Sequence, residues 1–260
     1  MPSSRHSSSM IAGFCGCAAC LSAEVPSASI PRRNAFSRRG FLGRAAAGVA
    51  AGLLPVAGLD LASVTPARAQ STITPDQALQ ELMAGNKRYT EGKLKSFDED
   101  LAMLKQKTAE KQEPFAAVLS CADSRVPVEL IFDQSIGHVF VNRVAGNLAT
   151  GEMIASLEYG AAVLGTRTIM VLAHSNCGAV SATIAGKAVP GQISTLYRYI
   201  RPAIDQAGSD VDAVARANAK IQAALLRDAS PLLAEMIAKK NLSVVAGFYN
   251  LASGNVELLA

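Results

Sequence analysis

The sequence predicts an α/β fold in which a central, mostly parallel β-sheet is flanked by helices. Two observations indicate this class. Short apolar runs of strand length alternate along the chain with longer segments of helical periodicity. These short runs are apolar throughout rather than alternating, which is typical of parallel strands buried on both faces. With 50% hydrophobic and 18% charged residues, the chain can bury such a core, which excludes a disordered protein.

The elements follow from local signals in chain order. The first helix begins at Thr74, a capping residue, because Pro75 follows at the first helical position and Gln77 lies three residues after the cap. Further helices are predicted over 98–111, 151–164, from 179 onward, and over 193–207, 211–227 and 231–240. Strands are predicted over 115–121, 138–143, 168–173 and 242–249, with a short edge strand over 256–259. In such sheets, sites gather at the carboxyl ends of the strands.

The first 69 residues have the pattern of an export signal. Arg38-Arg39 followed by apolar residues resembles a twin-arginine signal, and the 15 uncharged residues of 45–59 are too few for a spanning helix. The small-x-small sequence of 67–69 matches a cleavage site. We therefore expect a twin-arginine signal peptide over 1–69 and one domain over 70–260. The alternatives are an uncleaved anchor and a tail without function.

This division predicts where the protein works and which partners it has. The export machinery would deliver the mature domain to the periplasm or the extracellular space, with no stable membrane span. The net charge of +4 comes from the leader, which has seven Arg against two acidic residues, whereas 70–260 has 18 basic and 19 acidic residues. No nucleic-acid partner is therefore implied. Three of the five cysteines also lie in the leader, so the mature domain is no disulfide scaffold.

The two remaining cysteines and one histidine form a candidate zinc site. Cys121 ends one predicted strand, and His174-x-x-Cys177 follows another. Thiolate and imidazole are preferred ligands of Zn²⁺, and three protein ligands leave a fourth position, as in catalytic sites. By spacing alone the pattern is moderately specific. Two buried cysteines with a hydrogen-bonded histidine, or a Cys121–Cys177 disulfide, remain alternatives.

The sequence around these residues closely resembles the β-class carbonic anhydrases over about residues 74–260. The motifs that carry the resemblance are Cys121-Ala122-Asp123-Ser124-Arg125-Val126-Pro127, His174-x-x-Cys177-Gly178, Phe140-Val141-Asn142-Arg143 with Ala145-Gly146-Asn147, and Gly247-Phe248-Tyr249 with Gly254-Asn255-Val256. The resemblance implies a zinc enzyme that interconverts carbon dioxide and bicarbonate by zinc-bound hydroxide. It also implies an α/β fold assembled as a homodimer or a dimer-based oligomer.

The resemblance assigns roles one residue at a time. Cys121, His174 and Cys177 match the zinc ligands of the family. Asp123 and Arg125 match its Asp–Arg dyad, in which the arginine holds the carboxylate away from zinc in the active form. In the closed form the aspartate itself takes the fourth position and shuts the enzyme off.

Two further positions complete the comparison with the family. Gln112 matches the glutamine that hydrogen-bonds substrate, usually from across the dimer interface. Arg143 matches an arginine that some members use, together with a Trp and a Tyr, in an inhibitory bicarbonate pocket. This chain contains no Trp, and Val118 stands at that position, so bicarbonate-driven closure is not expected.

Two other functions are compatible with the same zinc ligands. One is hydrolysis of a related small electrophile, such as carbon disulfide or carbonyl sulfide, because pocket shape rather than ligand type decides which substrate enters. The other is a non-catalytic zinc-binding protein in which Asp123 permanently fills the fourth position. Both stay open at the level of sequence.

Overall fold

The structure is a computed structural model that describes residues 71–96 and 101–260. The predicted signal peptide over 1–69 and its cleavage site lie outside the described residues. Within the described ranges, no helix has both the length and the apolar character needed to cross a membrane.

A five-stranded sheet forms the centre of the fold, in the order β2-β1-β3-β4-β5. Strands β1 to β4 pair in parallel, and β5 pairs antiparallel to β4 at one edge. The predicted α/β class with a mostly parallel sheet is therefore confirmed. The strands are β1 (Ala116–Ser120), β2 (Val139–Arg143), β3 (Thr168–His174), β4 (Ser243–Tyr249) and β5 (Val256–Leu259).

Helices cover both faces of this sheet. They are α1 (Pro75–Thr90), α2 (Leu101–Thr108), α3 (Val128–Ile131), α4 (Gly151–Ala162), α5 (Gly178–Ala185), α6 (Tyr197–Ala207), α7 (Val211–Ala229) and α8 (Pro231–Ala238), with a 3₁₀ turn at Ile193–Leu196. The cap predicted for α1 is confirmed, because the Thr74 hydroxyl accepts from the Gln77 backbone N–H and the Gln77 side chain accepts from the Thr74 N–H.

The core consists of two apolar layers, one on each face of the sheet. Alternate residues of the central strands point to opposite faces: Leu119 and Val171 to one layer, Val118 and Met170 to the other. The first layer is completed by α4 to α8 and the second by α1 and α3. Strands β1 and β3 are buried along their whole length, as their uninterrupted apolar sequence predicts.

Helix α1 lies unusually close to α3. A Cβ on Gly85 would lie 1.8 Å from the carbonyl oxygen of Phe132, so only glycine allows this approach. The buried side chain of Asn86 then donates to the carbonyls of Ile131 and Gly254 and accepts from the N–H of Val256. One amide thus ties α1 both to α3 and to the strand at the sheet edge.

The structure corrects three details of the predicted elements. The helix expected over 98–111 ends at Thr108. No residue of α2 is buried, so packing contributes little to extending the helix. The helix expected over 193–207 begins with the tighter 3₁₀ turn and becomes α-helical at Tyr197. Helix α3 was not predicted, since four residues are too few to show a periodicity.

A buried carboxylate fastens the segment after α1 to the end of α3. Asp133 accepts hydrogen bonds from the Arg88 guanidinium, from the backbone N–H of Lys95 and from both the N–H and the hydroxyl of Ser96. Burial by itself raises the pKa of this carboxyl, but these hydrogen bonds outweigh the burial and lower the pKa to about 2. The ionised form is therefore the one that the fold stabilises.

We predict that Asp133→Asn lowers the free energy of unfolding by about 2 kcal/mol at neutral pH, the range of a hydrogen bond to a charged group. The folded-state pKa lies below the unfolded value of about 3.9, so this contribution is present above that value and is lost as the pH falls toward about 2. Urea unfolding of residues 70–260 at several pH values measures both effects. Asp228→Asn, an exposed aspartate on α7, is the control. An equal loss in the two variants, or a loss independent of pH, would contradict the assignment.

Candidate metal centre

Three metal-ligating side chains meet at the carboxyl edge of the sheet. Cys121 follows β1 directly, His174 is the last residue of β3, and Cys177 is the residue that precedes α5. Because β1 and β3 are neighbouring parallel strands, their carboxyl ends share one edge. The two sulfurs and a ring nitrogen of His174 all lie within 4.8 Å of one another, and all three residues are buried. The convergence predicted from the spacing is confirmed.

The histidine ring is oriented for metal binding. Nδ1 of His174 lies 2.9 Å from the carbonyl oxygen of Ser175, and since a carbonyl only accepts, Nδ1 carries the proton. A ring with its proton on Nδ1 alone presents the lone pair of Nε2. This atom is buried and has no hydrogen-bond partner. A backbone carbonyl that fixes the ring tautomer in this way is a common companion of metal-bound histidine.

The two cysteines are free thiols that face one another. The hydrogen bond from Cys177 is the main cause that lowers the pKa of Cys121, to about 4, and the backbone N–H of Gly146, 3.3 Å from its sulfur, adds to it. The same hydrogen bond and burial raise the pKa of Cys177. The two sulfurs therefore interact directly with each other.

These residues fit a zinc ion. Two sulfurs and one imidazole nitrogen are a preferred donor set for Zn²⁺, and a set of three leaves room for a fourth ligand. The buried and unpartnered Nε2 of His174 is otherwise costly, because an unsatisfied polar atom in the interior loses its hydration without compensation. A bound cation would remove that cost.

An aspartate held by an arginine borders the same space. Oδ2 of Asp123 lies 3.9 Å from Nε2 of His174. Arg125 binds the carboxylate with two parallel hydrogen bonds, Nε to Oδ1 at 2.9 Å and Nη2 to Oδ2 at 2.7 Å, and its backbone N–H donates to Oδ1 as well. The hydrogen bond from the Arg125 guanidinium is the main reason that the pKa of Asp123 lies well below its usual range.

Arg143 has a contact that sequence reasoning missed. Its guanidinium donates to the backbone carbonyls of Cys121 and Asp123, so it fastens the loop that carries both residues to the end of β2. The sequence identified Arg143 only as a residue able to bind an anion. A side chain that meets a loop 20 residues away leaves no local pattern by which it could have been found.

The structure does not bring Gln112 to this centre within one chain. Gln112 precedes β1, whereas Cys121 follows it, so the five residues of β1, about 16 Å, separate them. It lies in a surface groove together with Ile136 and Tyr159, at the amino end of the sheet. The predicted substrate contact of Gln112, which the resemblance places across a dimer interface, stays a prediction.

Comparison with known proteins gives a consistent result. A sequence profile described as carbonic anhydrase matches residues 116–256, more than half of the chain. A carbonic anhydrase of Mycolicibacterium smegmatis is 33% identical over 192 residues, covering 71% of this chain and 93% of that protein.

Solved structures agree with the sequence match. The chain is similar to a Coccomyxa β-carbonic anhydrase in complex with acetazolamide, with a TM-score of 0.55, 28% identity, and coverage of 61% of this chain and 78% of that one. Two tetrameric β-carbonic anhydrases of Sordaria macrospora share the fold, with a TM-score of 0.57 at 23% identity, over 71% of this chain and 95% of that one. Profile, relative and fold together show that the chain belongs to the carbonic anhydrase family, in its β class.

Proposed function

We propose that this protein is a zinc-dependent enzyme that interconverts carbon dioxide and bicarbonate. The observation that carries the proposal is the buried set of Cys121, His174 and Cys177 beside a carboxylate that Arg125 holds in place. The named relatives are carbonic anhydrases, and the family match covers all of these residues. The types of the three side chains, their convergence and the family match therefore all support the same function.

The chemistry divides between the metal and the chain. Zinc held by the three ligands would lower the pKa of a coordinated water toward neutrality and so supply hydroxide where it is otherwise scarce. Asp123 remains ionised at neutral pH, because Arg125 stabilises its negative charge. From its place beside Nε2 of His174, the carboxylate would accept a hydrogen bond from a water in this space and orient it. Arg125 keeps the carboxylate from turning further toward the three ligands.

The alternatives differ in what they require of these residues. A non-catalytic zinc protein requires Asp123 to leave Arg125 and take the fourth position, whereas the paired geometry favours an open one. A carbon disulfide or carbonyl sulfide hydrolase would use the same ligands, and no contact among the described residues favours it. Each gives a different result in the tests below.

We infer that the working unit contains at least two copies of the chain. Gln112 lies at the amino end of β1, so the substrate contact that the resemblance implies would be made to the centre of another copy. Exposed apolar side chains accompany it, with Ile136 and Tyr159 both 48% exposed, and surfaces of this kind mark contacts between proteins. The Sordaria macrospora relatives are described as tetrameric.

The first test is stopped-flow carbon dioxide hydration together with zinc analysis on the purified domain of residues 70–260. We expect one zinc per chain and rapid hydration. The Cys177→Ser variant should lose most of both, since a serine oxygen is a harder and poorly ionised ligand. Thr195→Ala is the control, because its exposed hydroxyl donates to the carbonyl of Gln192 and lies outside the donor set.

Other outcomes are equally informative. Full zinc with no hydration would favour the non-catalytic alternative, and hydrolysis of carbon disulfide in its place would favour the second enzyme. Full zinc retention in Cys177→Ser would contradict the ligand assignment itself.

A second prediction concerns Arg125. The Arg125→Ala variant should keep its zinc, because no ligand is changed, but the freed Asp123 should bind the metal and leave an almost inactive site. Hydration rate and zinc content are measured on the same sample. Lys239→Ala, an exposed charge paired with Glu235 on α8, is the control for loss of a surface cation. Near-normal hydration by Arg125→Ala would show that the pair does not gate the site.

We also propose that residues 1–69 export the folded, zinc-loaded domain by the twin-arginine route. Cys121 and Cys177 are free and lie close together, so in an oxidising compartment they can form a disulfide before zinc binds. Transport of a folded protein allows zinc to be bound inside the cell first. The leader pattern and the paired thiols thus support the same route.

Replacing Arg38 and Arg39 by Lys should stop export and leave active, zinc-loaded enzyme in the cytoplasm. Rerouting the domain through a signal for unfolded export should instead give a largely metal-free product, part of it with a Cys121–Cys177 disulfide. Cell fractionation, a thiol count and a zinc assay measure these outcomes. Full zinc and two protected thiolates in the rerouted protein would contradict the proposal.

A further inference from the structure

The turn between His174 and Cys177 has an unusual backbone. Asn176 has a φ of +52°, in the left-handed region that asparagine tolerates better than most residues. The side chain is exposed, so apolar packing does not hold the residue there. Two hydrogen bonds hold its backbone instead. The N–H of Asn176 donates to Asp212, and its carbonyl accepts from Arg125. The turn is therefore maintained by its polar neighbours.

The backbone carbonyl of Asn176 accepts a hydrogen bond from the Arg125 guanidinium. Nη2 of Arg125 donates to this carbonyl at 3.2 Å and to Oδ2 of Asp123 at 2.7 Å. The arginine side chain is 53% exposed, so little apolar contact restrains it. The Asn176 carbonyl is thus a contact from outside the dyad that sets the direction of the guanidinium.

The N–H of Asn176 donates to a residue that belongs to neither motif. Oδ1 of Asp212, in the first turn of α7, accepts this hydrogen bond at 2.9 Å. The helix does not need Asp212 as its cap, because Asp210 already accepts from the Ala213 N–H at 2.7 Å. The carboxylate of Asp212 is therefore available to the turn, across 36 residues of sequence.

We propose that Asp212 is a positioning residue for the proposed carbon dioxide hydration, acting through Asn176 on Arg125. By holding the N–H of Asn176 it fixes the turn, and the carbonyl of the same residue then keeps the guanidinium on Asp123. The hydrogen bond that Asp212 accepts comes from Asn176, which is not one of the three metal ligands. The inference rests on the proposed function, because the rate it affects is that of hydration.

The test compares three variants of the zinc-loaded domain in stopped-flow hydration. Asp212→Ala should lower kcat by about tenfold, the size expected for one lost hydrogen bond, with little change in KM or in zinc content. Asp212→Asn should recover most of the loss, because the amide oxygen still accepts from Asn176. Asp210→Ala removes the cap of the same helix, so it should lower Tm and leave kcat within about twofold. Equal kcat losses in Asp210→Ala and Asp212→Ala, or an unchanged kcat in Asp212→Ala, would overturn the proposal.

A crystal structure of Asp212→Ala gives a readout that does not depend on activity. We expect the hydrogen bond between Arg125 and the Asn176 carbonyl to be lost, with the two cysteines and His174 unmoved. If the wild-type protein proves inactive in hydration, the proposed function fails, and this structure still decides the positioning role. An unchanged Arg125 contact in the variant would overturn the role, whatever the rates are.

Discussion

The parallel pairing of β1 with β3 is the constraint on which the rest of the site depends. Both strands are buried over their whole length, so their register is fixed by the two apolar layers that they separate. Parallel strands must end at the same edge of a sheet, and this places Cys121 beside His174. Cys177 then needs only one turn of chain to reach them. Slippage of either strand would turn its apolar residues away from their layers and break the donor set at once.

The charged pair beside the donor set has a different basis. Arg125 is half-exposed, and an ion pair in such a place contributes little to stability. Its value is geometric, since a bidentate guanidinium fixes both oxygens of a carboxylate as a single hydrogen bond could not. Hydrogen bonds also hold the backbone around the pair. Arg143 donates to the carbonyl of Asp123, and Asp212 accepts from the N–H of Asn176. The core thus determines where the ligands are, and surface polar contacts determine which way the carboxylate points.

Most of the fold and the donor set could be predicted from sequence, because both depend on local patterns. Unbroken apolar runs identify the buried strands, and His174-x-x-Cys177 needs no knowledge of distant residues. The contacts of Arg143 and Asp212 could not be predicted, since each joins segments that only tertiary folding brings together. Helix α3 was not predicted, because its four residues are too few to show a helical periodicity. The role predicted for Gln112 needs a second chain, and the predicted export signal lies outside the described residues.

In the proposed enzyme, the fold presents three zinc ligands while Arg125 keeps Asp123 off the metal. A crystal structure of the zinc-loaded domain at neutral pH, with zinc located by its anomalous scattering, tests this arrangement most directly. We expect zinc bound by Cys121, His174 and Cys177, with Asp123 still paired to Arg125 and a non-protein ligand in the fourth position. A zinc ion ligated by Asp123, or a Cys121–Cys177 disulfide in place of the metal, would contradict it.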